Sequence, residues 1–358
     1  MNHEINQGRR RFVAAAALTG LELAMYRDTR SAVAVPTTAG DGLAALRGAT
    51  TWLNSAPLTA AGLRGKVVLI DVGTYTCINW LRTLPYRRAW AEKYRESGLV
   101  LVGVHTPEFQ FEHDLDNVRR ALGDMKVLHP IAVDNDYAIW NGLDNRYWPA
   151  LYLFDATGKL RHEKFGEGDY ERSEAAIQQV VTERGARAFE RRPVTVEGRG
   201  IEAPADWATL GSPETYLGFA RAERFASKER PVANLPRVYT APARLRANEW
   251  ALAGTWGLGK QAARSGAPDA RIVYRFRARD VHLVMGPAAH GMSVRFRVRV
   301  DGLPPGAASG GDVDEAGNGV LDQQRLYQLI RQSGQVVERS FEIEFLDQGA
   351  EAFAFTFG

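Results

Sequence analysis

One cysteine in 358 residues fixes which redox and metal chemistry this chain can support. Cys77 follows Asp71-Val72-Gly73-Thr74-Tyr75-Thr76 and precedes Ile78-Asn79-Trp80. Val67–Val72 is an apolar, β-branched run of strand length. From Cys77 onward, Ile78, Leu81, Leu84 and Trp90 mark the apolar face of a helix, with Pro85 expected to kink it. Cys77 therefore falls where a buried strand turns into a helix. The positive end of the helix dipole there is expected to favour thiolate, the reactive form. A lone cysteine excludes an internal disulfide and an all-cysteine structural metal site.

The length favours two domains over one. The net charge of +3 comes from well-mixed signs, with no basic stripe interleaved with aromatics, so a nucleic-acid partner is not expected. Gly8-Arg9-Arg10-Arg11-Phe12-Val13 resembles a twin-arginine export motif. It stands before the mild apolar run Val13–Met25 and the small-residue stretch Ala32-Val33-Ala34. Residues 1–34 are thus expected to be a signal peptide and residues 35–50 a mobile linker. No later segment is apolar enough to span a bilayer, so a periplasmic protein without stable membrane insertion is expected.

Residues 51–187 alternate strand and helix. Strands are expected at Val67–Val72, Leu99–His105, Ile131–Val133, Ala150–Phe154 and Leu160–Phe165. Helices are expected at Cys77–Glu96, Phe111–Met125, Tyr137–Leu143 and Arg172–Arg184. Asp155-Ala156-Thr157-Gly158 reads as a hairpin turn. This is an α/β layered sheet of mixed direction. Residues 188–212 read as a second linker. From 213 to 358 helical periodicity gives way to period-two strands at Arg271–Arg277, Val281–Met285, Ser293–Val300, Val336–Phe345 and Ala352–Phe357. An all-β antiparallel sandwich follows from that pattern.

Asp71, Cys77, Pro85 and Trp148-Pro149 together have the order of a thioredoxin site: carboxylate, nucleophile, kink proline, and an X-Pro loop before a buried strand. A cis bond before Pro149 would leave neighbouring backbone groups free to pair with an extended peptide. The resemblance narrows further. Lys66–Asp71, Thr74–Asn79, Gly103–Phe109, Asn135–Trp140 and Tyr147–Ala150 resemble the periplasmic thioredoxin-like domain of the DipZ family. Thr215–Gly218, Trp250–Trp256 and Phe341–Phe345 resemble the carbohydrate-binding-module-like β-domain that follows it there. The membrane-spanning domain of full DipZ proteins has no counterpart in these residues.

The resemblance implies a thioredoxin fold and thiol oxidoreduction through Cys77, with Asp71 as a proton acceptor of raised pKa. It implies substrate contacts at Thr74, Thr76, Trp80, Trp148 and Pro149. Two departures stand out. Trp80 occupies the place of the second cysteine, so a mixed disulfide must be released by an external thiol. Val72-Gly73 stands where thioredoxins place Phe-Trp, and Gly73 is expected to thin the wall near the sulfur.

The expected partners are protein thiols or disulfides and an external reducing thiol. The alternatives are peroxiredoxin-like hydroperoxide reduction, suggested by Thr74-x-x-Cys77 although the arginine of such sites falls about where Pro149 stands and Arg146 belongs to the loop, and a redox-inactive peptide or glycan binder. Trp207, Trp250 and Trp256 are the candidates for stacking on sugars. No cofactor or metal is expected. His105 and Glu108 lack a third ligand, and Asp312–Gly319 departs from a calcium loop at Ala316 and Gln323.

Overall fold

The computed structural model describes residues 42–185 and 189–358. The expected signal peptide lies outside them, as does the twin-arginine motif. Strands β1 (Thr51–Leu53), β2 (Val67–Gly73), β3 (Leu99–His105), β4 (Ile131–Val133), β5 (Ala150–Phe154) and β6 (Leu160–Phe165) form one sheet in the order β1-β4-β3-β2-β5-β6. β2, β3 and β4 run parallel, and β1, β5 and β6 run antiparallel to their neighbours. Every residue of β2 is buried, as an apolar run interrupted only by Asp71 requires of a central strand covered on both faces. Helices α1 (Ala60–Leu63), α2 (Ile78–Leu81), α3 (Leu84–Lys93), α4 (Leu115–Asp124), α5 (Ala138–Gly142) and α6 (Tyr170–Glu183) accompany it. This is a thioredoxin fold.

Two expected helices are interrupted. The one opening at Cys77 stops at Leu81 and restarts at Leu84, with Pro85 in the first turn of α3. Proline has no N–H to continue the ladder, so it begins a helix here rather than kinking one. The segment from Phe111 is a 3₁₀ turn, Gln110–His113, followed by α4. Asp114 caps α4 by accepting from the backbone N–H groups of Asp116 and Asn117.

Both expected linkers are ordered where they are described. Gly42–Gly48 is a 3₁₀ helix that buries Leu43 and Leu46 against Val68, Ile70 and Tyr152. After the α6 end, Phe189 packs edge-on to Tyr94 at 5.4 Å, and the Val194 N–H donates to Glu174. Glu202 takes both guanidinium nitrogens of Arg88, at 2.9 and 2.6 Å. Apolar and charged anchors at intervals hold a segment whose composition alone reads as linker.

The second part is antiparallel throughout its named strands. These are β7 (Thr215–Tyr216), β8 (Pro236–Tyr239), β9 (Trp250–Leu258), β10 (Ala263–Ser265), β11 (Ala270–Phe276), β12 (Asp280–Pro287), β13 (Val294–Val300), β14 (Asn318–Leu321), β15 (Arg325–Arg331), β16 (Arg339–Phe345) and β17 (Ala350–Phe357). Instead of two separate sheets, one continuous path runs β14-β13-β16-β11-β9-β10-β17-β12-β15. β9 makes the turn. Residues 250–253 pair with β11, 254–257 with β8 and 256–258 with β10. Between them Gly254 sits at φ 86°, a conformation that a side chain disfavours. The curled sheet closes on Leu252, Tyr274, Phe296, Phe341, Leu283 and Phe355. Trp250 and Trp256 are fully buried in that core and closed to a sugar ring, whereas Trp207 is exposed.

The two parts share a core. Phe353 of β17 packs on Phe109 and Phe111 at 5.2 and 4.7 Å, with Val284, Leu326 and Ala354 in the same cluster. Arg82 reaches across to the Phe357 carbonyl at 2.9 Å.

Candidate functional site

The site grows from the ends of β2 and β3. Gly73 pairs with His105, and the Thr106 N–H donates to the Gly73 carbonyl at 3.1 Å. Val72 pairs with Ala150, which brings Pro149 level with Gly73 at the same sheet end. The Trp148–Pro149 bond is cis. Trp148 is half-buried, donates its indole N–H to the Thr106 carbonyl at 3.0 Å and packs on Trp140 at 4.2 Å.

Cys77 caps α2 and is half-buried. It packs against the cluster that joins the two parts, alongside Tyr216 and Ala262 of the β-domain. The thiol is pushed well up rather than down. Burial is the main cause, the carboxylates of Glu214 and Glu108 add to it, and the Trp80 and Asn79 N–H groups pull weakly the other way. The expected activation by a helix N-terminus fails here because α2 is a single turn and desolvation outweighs two amide dipoles.

Asp71 is 1% exposed, and both of its oxygens are occupied. Arg87 Nε donates to Oδ1 at 2.8 Å, and Trp80 Nε1 donates to Oδ2 at 2.8 Å. Among the described residues Asp71 makes no hydrogen bond to Cys77. Its carboxylate anchors Trp80 and Arg87. Trp80 is 4% exposed and lies over Gly73. A Cβ built on Gly73 would come within 2.5 Å of Trp80 Cγ, and closer to the pyrrole edge. The wall is therefore filled by the indole, not thinned.

Thr74 and Thr76 are each 1% exposed. Thr76 donates to Glu112 Oε1 at 2.5 Å. The buried Glu112 also accepts the N–H groups of Glu108 and Phe109, at 2.6 and 2.9 Å. Burial raises Glu112 despite these donors. Thr74, Thr76 and Trp80 are thus inside the fold, and direct substrate contact is closed to them in this arrangement. Cys77 and Trp148 keep solvent access. Tyr75 stacks on His105 at 5.8 Å, and burial holds His105 down at about 4. Arg146 is exposed and pairs with Asp144 at 3.2 Å, away from the role a peroxide site would give it.

The β-domain adds residues that sequence reasoning did not assign to the site. Tyr216 Oη lies 2.6 Å from Glu108 Oε1 and 3.0 Å from Glu214 Oε2. Arg221 donates to Glu108 Oε1 at 2.8 Å and covers the Tyr216 ring at 3.4 Å. Neither Glu214 nor Arg87 carries a sequence signal, because each meets its partner only through the tertiary fold.

Residues 212–358 match the family described as "Thioredoxin like C-terminal domain". Protein DipZ of Mycobacterium bovis is 39% identical over 244 residues, which are 67% of this chain and 34% of that protein. The chain thus spans about a third of the length of the DipZ relatives it matches. Thiol-disulfide oxidoreductase YkuV of Bacillus subtilis is 29% identical over 138 residues, 38% of this chain and 93% of its own. A solution structure of a thioredoxin-like protein in its oxidized form shares 30% identity at a TM-score of 0.35, covering 37% of this chain and 90% of that one.

Proposed function

The chain is a DipZ-related, thioredoxin-like protein, and from that premise we propose that it is a thiol–disulfide oxidoreductase that works through Cys77 alone. The observation that carries this reading is a half-buried thiol at the β2–α2 turn, with the resolving position filled by a buried tryptophan. Cys77 sulfur attacks a substrate disulfide, one substrate sulfur leaves as a thiol, and the other stays on Cys77. No second thiol in the chain can displace it, so an external thiol must attack the mixed disulfide. In this reading Trp148 and Pro149, at the β5 end of the same sheet edge as Gly73, are the residues that meet the substrate. The protein substrates and the external reductant are met outside the cytoplasm, after export directed by Arg9-Arg10-Arg11-Phe12.

Asp71 has a structural part in this scheme. It is an anion held between Arg87 and Trp80, and it fixes the indole that replaces the second sulfur. The raised Cys77 pKa makes the thiolate scarce at neutral pH but strongly nucleophilic once formed.

Reduction of bis(2-hydroxyethyl) disulfide, measured against the concentration of an external monothiol, tests the reading. Turnover should rise with the monothiol and vanish in Cys77→Ser. Equal turnover by Cys77→Ser would remove Cys77 from the chemistry.

A further inference from the structure

The phenol of Tyr216 has one hydrogen, yet two carboxylates, Glu108 and Glu214, lie within hydrogen-bond distance of it. One phenol hydrogen serves both carboxylates, which brings two like charges close together. Their repulsion favours a proton on one member of the pair. Arg221 is bonded to Glu108 and keeps that partner anionic, which leaves the proton on Glu214. Glu108 comes from the loop after β3, and Glu214, Tyr216 and Arg221 come from the β-domain, so the cluster bridges the two parts. Cys77 packs in the same apolar cluster as Tyr216.

We propose that Glu214 of the β-domain holds the proton that caps the departing sulfur when Cys77 attacks a disulfide. This rests on the oxidoreductase reading above and places the acid on the β-domain side of Cys77, since Asp71 is bonded to Arg87 and Trp80 and makes no hydrogen bond to the thiol among the described residues. The Cys77 sulfur forms its bond to the nearer substrate sulfur as the S–S bond breaks. The electron pair of that bond goes to the leaving sulfur, which takes the Glu214 proton. The proton shed by Cys77 refills Glu214. One substrate disulfide becomes one mixed disulfide and one thiol, with no other oxidant or reductant.

The groups facing this pair are Arg221, Tyr216, Glu112, Tyr137 and Cys77 itself. The protein crowded around its carboxyl and the Glu108 charge raise Glu214, although the residue keeps an edge open to solvent. Glu214 keeps an exposed side chain, which lets it exchange protons with solvent and makes its replacement compatible with folding.

Leaving-group dependence tests the assignment. An aromatic disulfide such as 5,5′-dithiobis(2-nitrobenzoate) expels a stable thiolate that needs no proton, whereas an alkyl disulfide such as bis(2-hydroxyethyl) disulfide does. Single-turnover reaction with each is measured in the wild-type protein, Glu214→Gln and Tyr216→Phe. Glu214→Gln should slow the alkyl disulfide by about tenfold or more near pH 7 while leaving the aromatic one unchanged or faster. That difference should close as pH rises through the titration of the pair. Tyr216→Phe should show a smaller loss of the same selectivity. Equal slowing of both disulfides, or no change in either, overturns the Glu214 role and leaves the Cys77 reading standing. A wild-type protein inert to both overturns the Cys77 reading, and this proposal with it.

Discussion

Gly73 and Trp80 are two halves of one substitution. The space where a Gly73 side chain would stand holds the Trp80 indole, whose N–H reaches Asp71 at 2.8 Å. Gly73→Ala should expel the ring and cost about 2 kcal/mol, the range for overpacking joined to loss of a hydrogen bond to a buried charge. In a Trp80→Cys background the same Gly73→Ala change should cost far less. Urea denaturation of the four-member cycle measures the coupling, and simple additivity would contradict the shared-space account.

Arg87 is the countercharge of Asp71, and both are buried. Arg87→Met should destabilise the protein by about 3–5 kcal/mol, because a buried carboxylate loses its cation. Adding Asp71→Asn should recover part of that loss. Equal stability of Arg87→Met and the double variant, measured by urea denaturation, would show that the pair is not the source of the cost.

The sheet was legible because β2, β3 and β5 are mostly apolar runs, with Asp71 and His105 as the polar exceptions, and their expected limits match the structure to within a residue. β9 was not legible. It is rich in Ala and Gly, and its two halves serve different neighbours, so no single alternation marks it. The thioredoxin order around Cys77 could be read, but the direction of its pKa could not. The thiol's environment is set by Glu214 and by β-domain packing more than 130 positions downstream in the chain. The double role of Trp80 was hidden for another reason: Asp71 and Gly73 are near it in the chain, but a tryptophan in a motif does not reveal what its N–H will meet.

Histidines held down by burial contribute to the acid limit of the fold, His105 and His282 among them. Burial holds His105 at about 4 and His282 at about 3, against an ordinary value of 6.5. Both are neutral when folded and take up protons on unfolding. Their contribution is therefore complete above pH 6.5 and is lost as pH falls toward those folded values. Stability should drop by about 1.4 kcal/mol per pH unit for each histidine in that window. His282→Leu should remove one proton from the slope. A slope unchanged by that variant, in chemical denaturation between pH 4 and 6.5, would contradict the assignment.

Trp80→Cys should supply the missing resolving thiol. The variant loses a large buried side chain, at a cost of about 3–5 kcal/mol. In the fraction that stays folded, insulin disulfide reduction should become less dependent on external monothiol. A natural protein that already equals the variant would show that the absent thiol does not limit turnover.

The central claim is a single-cysteine cycle that halts at a mixed disulfide. Intact mass spectrometry of the folded protein after reaction with bis(2-hydroxyethyl) disulfide tests it most directly. The account expects one mercaptoethanol adduct on Cys77 that persists in the absence of other thiols and disappears when a monothiol is added. A protein that stays unmodified under native conditions, and gains the adduct only in denaturant, would contradict it.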